Sequence, residues 1–339
     1  MPCVSAVEGY FYTLMGHGMI HTVLGPVSAE DLGSVLIHEH ITCADLSMRY
    51  NFGSKYFDPA RVTDLACRYL REAMSLGIGA LVDGSAVNLG RDIHLLREVS
   101  RRTGMHLIAS SGFYFQQEPW LSDREASEIA DLLLEECLCG IGGTDSRPGI
   151  MKAAVGRDGL TEYHKKLLVA TARAGAAAGL PMFCHHEVCS RCGPGIADLA
   201  EKNGLDPTRV VLGHSGDSED PAYLEELFQT GCYIGFDRMG YYGDRNPVSL
   251  ETVVSNILRF CEKGYLKQIL ISHDLAPYLG FWGTLEEAGR AYENGTTRTF
   301  AFFSRRVLPM LRAAGLEQTH IETIIKENPA RLLSVQKRP

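Results

Sequence analysis

Several histidines and acids in this chain have the type and placement that metal-dependent chemistry requires. His38 and His40 form an H-x-H pair closing the apolar run SVLIHEH. On a strand, residues two apart share a face, so both imidazoles can reach one ion. The alternative for such a pair is one helix-capping histidine and one on the surface. His185 ends another apolar run, His214 a further one, and Asp274, following His273, a fourth. Imidazole and carboxylate are ligands of divalent cations, and ligands drawn from separate strands converge only where the sheet closes on itself.

Lys152 is the least expected member of the set. It interrupts the apolar segment GIMKAAVG, where an unpaired ammonium would cost several kcal/mol to bury. A lysine of lowered pKa can react with carbon dioxide to give a carbamate, an anion able to bridge two cations. An ion pair with Asp83 or Asp274 is the alternative way to compensate the charge.

The elements that must position these groups are eight short apolar runs, each followed by a helical pattern. The runs are SVLIHEH, GALVDGS, HLIASSG, GIMKAAV, PMFCHH, RVVLGHS, CYIGFDR and QILISHD. ARVTDLACRYLREAMSLG, REASEIADLLLEECLCG and TEYHKKLLVATARAGAAAG lie between them, and each ends on a glycine suited to the residue after a helix. Strand then helix, repeated, predicts either a (β/α)8 TIM barrel or a doubly wound open sheet. His, Asp, Lys or Arg at the C-terminal end of most runs decides for the barrel, because barrel enzymes place their chemistry there. With no linker or repeat in view, one domain is expected over 1–339, with N-terminal strands in 1–30 and a long eighth loop plus closing helices over 277–339.

Composition narrows the partners. The chain has 339 residues, 45% hydrophobic and 22% charged, and a formal net charge of −8. An acidic balance argues against a nucleic-acid or anionic-membrane surface and for a small-molecule substrate. Residues 9–29 carry no formal charge, but four glycines, a proline and two histidines interrupt them, and only Glu8 stands before them. A membrane span and a signal peptide are both excluded on that pattern. Ten cysteines scattered through apolar segments suit a reducing cytoplasm. Cys189 and Cys192 form a C-x-x-C, which without a second pair is weak grounds for a zinc or redox site.

Taken together, VLGPVSAEDLGSVLIHEHI, VDGSAVNLGRD, GIMKAAVG, GLPMFCHH, VVLGHSGDSEDPAYLEELFQTGCYIGFDRMG, ILISHD and ENPARLL resemble the phosphotriesterase family of the amidohydrolase superfamily, over nearly all of residues 20–335. The resemblance implies a barrel holding two divalent metal ions, usually zinc, with manganese, cobalt or iron also used. It implies that His38, His40 and Asp274 bind the more buried ion and His185 and His214 the more exposed one. Lys152, as N6-carboxylysine, would bridge both together with a hydroxide, and Asp274 would also act as the base. Homodimers are common in the family.

By resemblance to the lactonase branch, Tyr114 in SSGFYFQQ and Arg238 in GFDRMG would line the pocket and position an ester. A half-buried packing role for Tyr114, and pairing of Arg238 with Asp237 or Asp217, are the structural alternatives. Phe281, Trp282 and Tyr278 are candidates for an apolar pocket wall, or for simple packing. His186 is expected beside the site without binding metal, and His17, His21, His94, His106, His164 and His320 outside it. The activity expected is hydrolysis of a lactone or related carboxylic ester; phosphotriester hydrolysis or N-acyl amino acid cleavage at the same site is the alternative.

Overall fold

The computed structural model describes residues 18–240, 248–287, 292–293 and 296–336. His17 and residues 9–17 of the expected N-terminal strands lie outside the described residues, as does the side chain of Phe281. A hairpin, β1 (Met19–Thr22) and β2 (Gly25–Ser28), precedes eight strands: β3 (Ser34–Glu39), β4 (Ile78–Asp83), β5 (His106–Gly112), β6 (Ile150–Val155), β7 (Met182–His186), β8 (Val210–Gly213), β9 (Tyr233–Phe236) and β10 (Ile269–Ile271). These eight run parallel in sequence order within one sheet, and each falls on one of the eight apolar runs.

The first and last strands meet through hydrogen bonds at the C-terminal end. Asp274 N donates to His38 O (3.1 Å), His40 N to Leu275 O (2.8 Å) and His38 N to Ser272 Oγ (3.0 Å). The fold is therefore a (β/α)8 barrel. Its interior is a cluster of inward residues that includes Val35, Ile37, Val82, Ile108, Ile150, Phe183, Val211, Tyr233 and Leu270. A second, larger apolar cluster lies between the sheet and the helices.

The helices form where polar caps precede amphipathic runs. Asp58 caps Pro59–Ser75, Asp92 caps Ile93–Thr103 and Thr161 caps Glu162–Ala178, each side chain accepting from a backbone N–H of the first turn. The expected closing glycines follow, with Gly140 at φ 97° and Gly179 at φ 69°. At the opposite end of the barrel, Leu332 and Leu333 of helix Asn328–Leu333 join the interior cluster and close the floor. Among the described residues no helix is long and apolar enough to cross a membrane, and Cys43, Cys67, Cys137, Cys184, Cys189, Cys192, Cys232 and Cys261 are free thiols.

Candidate active site

Period-two alternation accounts for part of the site. With Ile150, Phe183 and Tyr233 facing inward, Lys152, His185 and Asp237 share their parity and project into the same space. Alternation from Val35 and Ile37 would instead turn His38 outward. The β3–β4 register shifts between Leu36 and Glu39, and such an irregularity re-aims a side chain next to a site. His214 and Asp274 follow inward-facing Gly213 and past-strand His273, and both take left-handed backbone angles, φ 62° and 53°. Non-glycine residues rarely adopt that region, and where they do it marks strain held in place by surrounding structure. Gly213 is required beside them, because a Cβ there would lie 2.2 Å from the Phe183 ring.

Two groups of candidate ligand atoms result, with Asp274 between them. Asp274 Oδ1 lies 3.1 Å from His40 Nε2 and 3.6 Å from His38 Nε2. Its Oδ2 lies 3.9 Å from His214 Nε2, which itself approaches His185 Nδ1 to 2.7 Å. Lys152 Nζ donates to His38 Nε2 at 2.9 Å and sits over the Phe183 ring, 4.3 Å from its centroid. Among the described residues no carboxylate comes within ion-pair reach of this ammonium. Asp83, one of the two expected partners, instead accepts from Ile41 N and Ser85 N, so the ion-pair alternative for Lys152 is replaced by contact with an imidazole.

The protonation pattern suits cation binding. Asp237 Oδ2 accepts from His38 Nδ1 at 2.6 Å. Ser85 Oγ, which donates to Thr42 O, accepts from His40 Nδ1 at 2.9 Å. Each contact places a ring proton on Nδ1. At His38 this leaves an Nε2 lone pair facing Lys152. At His40, Nε2 meets Asp274 Oδ1 at 3.1 Å; burial would lower the pKa of this ring, but Cys43 and Asp274 hold it well above the usual imidazole value, so it carries a proton that a bound cation would displace. Burial pushes His185 down to about 3 and His214 well below the usual imidazole value, so both rings are neutral donors. Burial also pushes the Lys152 amine down to about 8. Three neutral imidazoles and a fourth whose proton a cation would displace, beside a buried carboxylate, are the donor set of a zinc-like divalent ion, and they fit one here.

Tyr114 and Arg238 reach the same place. Tyr114 OH is 3.4 Å from His185 Nδ1. Arg238 donates through Nε to Asp274 Oδ2 (3.1 Å) and through Nη1 to Asp217 Oδ2 (2.8 Å), so pairing with Asp217 forms while Asp237 faces the two histidines. Burial would lower the Arg238 pKa, but Asp217 and Asp274 hold it above the ordinary guanidinium value.

Other candidates fall elsewhere. His186 points from the opposite face of β7 toward the helix layer near Gly193. His21 lies on the floor hairpin, His106 starts β5, and His94, His164 and His320 are in helices. Tyr278 packs edge-on against Phe57 and donates to Tyr56 O, following the packing alternative, and Trp282 is 62% exposed. Cys192 is buried at a helix start with Ser190 Oγ at 3.0 Å from its sulfur, and Cys189 is exposed.

Asp237, Ser85 and Glu39 are positioning residues that the motif pattern did not single out. Glu39 accepts from Ser272 Oγ, His273 N and Leu275 N, fixing the backbone on both sides of Asp274. For Asp237 a signal existed, since it lies two and four residues beyond Gly235 and Tyr233 on an inward-facing parity.

A barrel with histidine, lysine and aspartate side chains gathered at the C-terminal ends of its strands is the architecture of a metal-dependent hydrolase. The phosphotriesterase family model matches residues 18–333. The chain is 28% identical over 310 residues to an aryldialkylphosphatase of Saccharolobus solfataricus, covering 91% of this chain and 97% of that protein. It is 29% identical over 328 residues to a phosphotriesterase homology protein of Mycobacterium tuberculosis (94% and 98%) and 27% identical over 360 to an N-acetyltaurine hydrolase of Rattus norvegicus (94% and 98%). The chain belongs to the phosphotriesterase family, whose members are metal-dependent hydrolases.

Proposed function

We propose that this enzyme is a binuclear hydrolase of lactones or related carboxylic esters. The observation that supports it is the placement of Asp274 between two sets of imidazoles, one oxygen toward each. On this proposal His38, His40 and Asp274 hold the more buried ion and His185 and His214 the more exposed one, with zinc as the ion. Two such cations, when bound, supply an acidified water at neutral pH and polarise the bond under attack.

Lys152 completes the set as its carbamate. The ammonium first loses one proton; the neutral amine nitrogen then bonds the carbon of carbon dioxide and releases a second, so that a buried cation becomes an anion beside the ligand groups. An amine pushed down to about 8 by burial has a neutral fraction available for that step near neutral pH. Asp274 is placed to accept a proton, and Arg238, at 3.1 Å, holds its carboxylate oriented and ionised. Tyr114, beside His185, offers a hydroxyl to the substrate's ester group; burial raises its pKa, so it stays a donor.

A second proposal keeps the site and changes the bond. The names aryldialkylphosphatase and N-acetyltaurine hydrolase among the relatives make phosphotriesters and acyl amides the competing substrates. The discriminating experiment loads the protein with zinc, counts ions per chain, and compares kcat/KM on a lactone panel, paraoxon and N-acyl amino acids. Two ions and a preference for lactones are expected; amide cleavage with no lactone turnover would overturn the substrate assignment. We propose a cytoplasmic homodimer on the family likeness and the free cysteines, testable by analytical ultracentrifugation and cell fractionation.

A further inference from the structure

At the open side of the site one carboxylate lacks a hydrogen-bonded partner, and that bears on substrate choice. Arg238 lies among three carboxylates: Asp217 at 2.8 Å, Asp274 at 3.1 Å and Glu187 at 4.0 Å. The two nearer acids take its hydrogen bonds. Asp274 also faces the cation sites. Glu187 is left over, with its side chain 21% exposed. Its Oε1 stands 3.4 Å from His185 Nε2, but that nitrogen makes no hydrogen bond of acceptable geometry among the described residues. The remaining charge acting on Glu187 is Arg157, which is exposed beyond the end of β6. A ligand entering beside Tyr114 and His185 therefore meets a solvent-reachable carboxylate that no hydrogen-bonded cation neutralises.

We propose that Glu187 is a specificity-determining residue that selects lactones and esters whose acyl or ring substituent is uncharged or carries an ammonium, and excludes those bearing a carboxylate or sulfonate. This rests on the hydrolase assignment above and adds the charge of the substrate to it. The physical basis is direct Coulomb interaction across a half-desolvated pocket, where one carboxylate within several ångströms changes affinity for a charged group by about tenfold. Arg157, exposed to water, screens only part of it.

The test reads binding as well as turnover. Zinc-loaded protein is titrated calorimetrically with three γ-lactams, slowly hydrolysed isosteres of lactones, bearing an ammonium, an uncharged amide or a carboxylate on the same ring carbon. The expected order is ammonium, then amide, then carboxylate, with about tenfold between the extremes. Glu187→Gln should collapse that spread to about twofold, and Glu187→Lys should invert it; Arg157→Gln should widen it. Carboxylate binding tightest in the wild type, an unchanged spread in Glu187→Gln, or no binding by any lactam overturns the proposal. If Glu187 merely positions His185, Glu187→Gln weakens all three equally and lowers the ion count, which also overturns it. Turnover of the parent uncharged lactone is measured in parallel. Its absence with the binding order intact removes the lactonase assignment and leaves the charge filter standing, and the reverse outcome removes only the filter.

Discussion

Asp237 Oδ2 lies 2.6 Å from His38 Nδ1, and the same oxygen is 3.4 Å from His214 Nδ1. One buried carboxylate thus stands behind a candidate ligand in each of the two groups, and its Oδ1 accepts from the His214 backbone N–H at 2.6 Å. Burial alone would raise the Asp237 pKa, but His214 and His38 hold it well below the ordinary carboxylate range. Asp237→Asn keeps the shape and removes the charge. Carboxylates behind metal-ligating histidines typically govern affinity by about 10- to 100-fold. Competition titration with a zinc chelator should show a loss of that size for both ions together, because both groups lose their orienting partner. A loss confined to one ion would mean that the contact to His214 is incidental.

Lys152 gives a sharper outcome. Native mass spectrometry of the zinc-loaded protein should show the added mass of one carbon dioxide per chain, absent from Lys152→Gln. That variant should bind fewer than two ions and lose about 100-fold or more in kcat/KM, since the anion between the two ligand groups is gone. Undiminished turnover in Lys152→Gln would remove the carbamate from the mechanism.

How these groups come together was only partly legible in the chain. The eight strands were, because apolar runs and turn glycines repeat with regular spacing, and so was the inward parity of Lys152 and His185. The orientation of His38 was not, since the register shift that corrects its direction depends on how β3 pairs with β4. Nor were the left-handed angles at His214 and Asp274, which tertiary contacts impose on residues with no local preference for them. Asp237 illustrates a third kind of gap: its parity was visible, but its pairing with His38 spans 199 positions, a separation beyond any local pattern.

His21 offers a stability test remote from the site. It is buried on the floor hairpin, where Nδ1 lies 2.9 Å from Pro148 O, and burial lowers its pKa from 6.5. Above pH 6.5 both folded and unfolded chains hold it neutral, and its contribution is complete. As pH falls below that value the unfolded chain binds the proton first, so stability declines until the folded pKa is passed, by at most about 1.4 kcal/mol per pH unit. Urea denaturation between pH 7.5 and 5 should therefore show a shallower decline in His21→Asn than in the wild type. Parallel slopes would show that this ring does not govern the acid response.

Arg209 ties the floor of the barrel shut. It is 3% exposed, and its guanidinium donates to Gly179 O (3.2 Å), Arg331 O (3.3 Å), Ser334 O (3.0 Å) and Leu332 O. Burial pushes it down to about 10, so it remains charged at neutral pH, with backbone carbonyls at the end of the last helix accepting its hydrogen bonds. Arg209→Met preserves bulk but leaves those carbonyls without their donor. Unsatisfied buried acceptors cost about 1–3 kcal/mol each when water cannot replace the partner. Because water can reach some of those carbonyls in the variant, the net loss should be about 2–4 kcal/mol. Amide exchange should accelerate selectively over residues 328–336, while the ion count at the opposite end of the barrel stays at the wild-type value. Loss of bound ions in Arg209→Met would show instead that the floor and the site unfold as one unit.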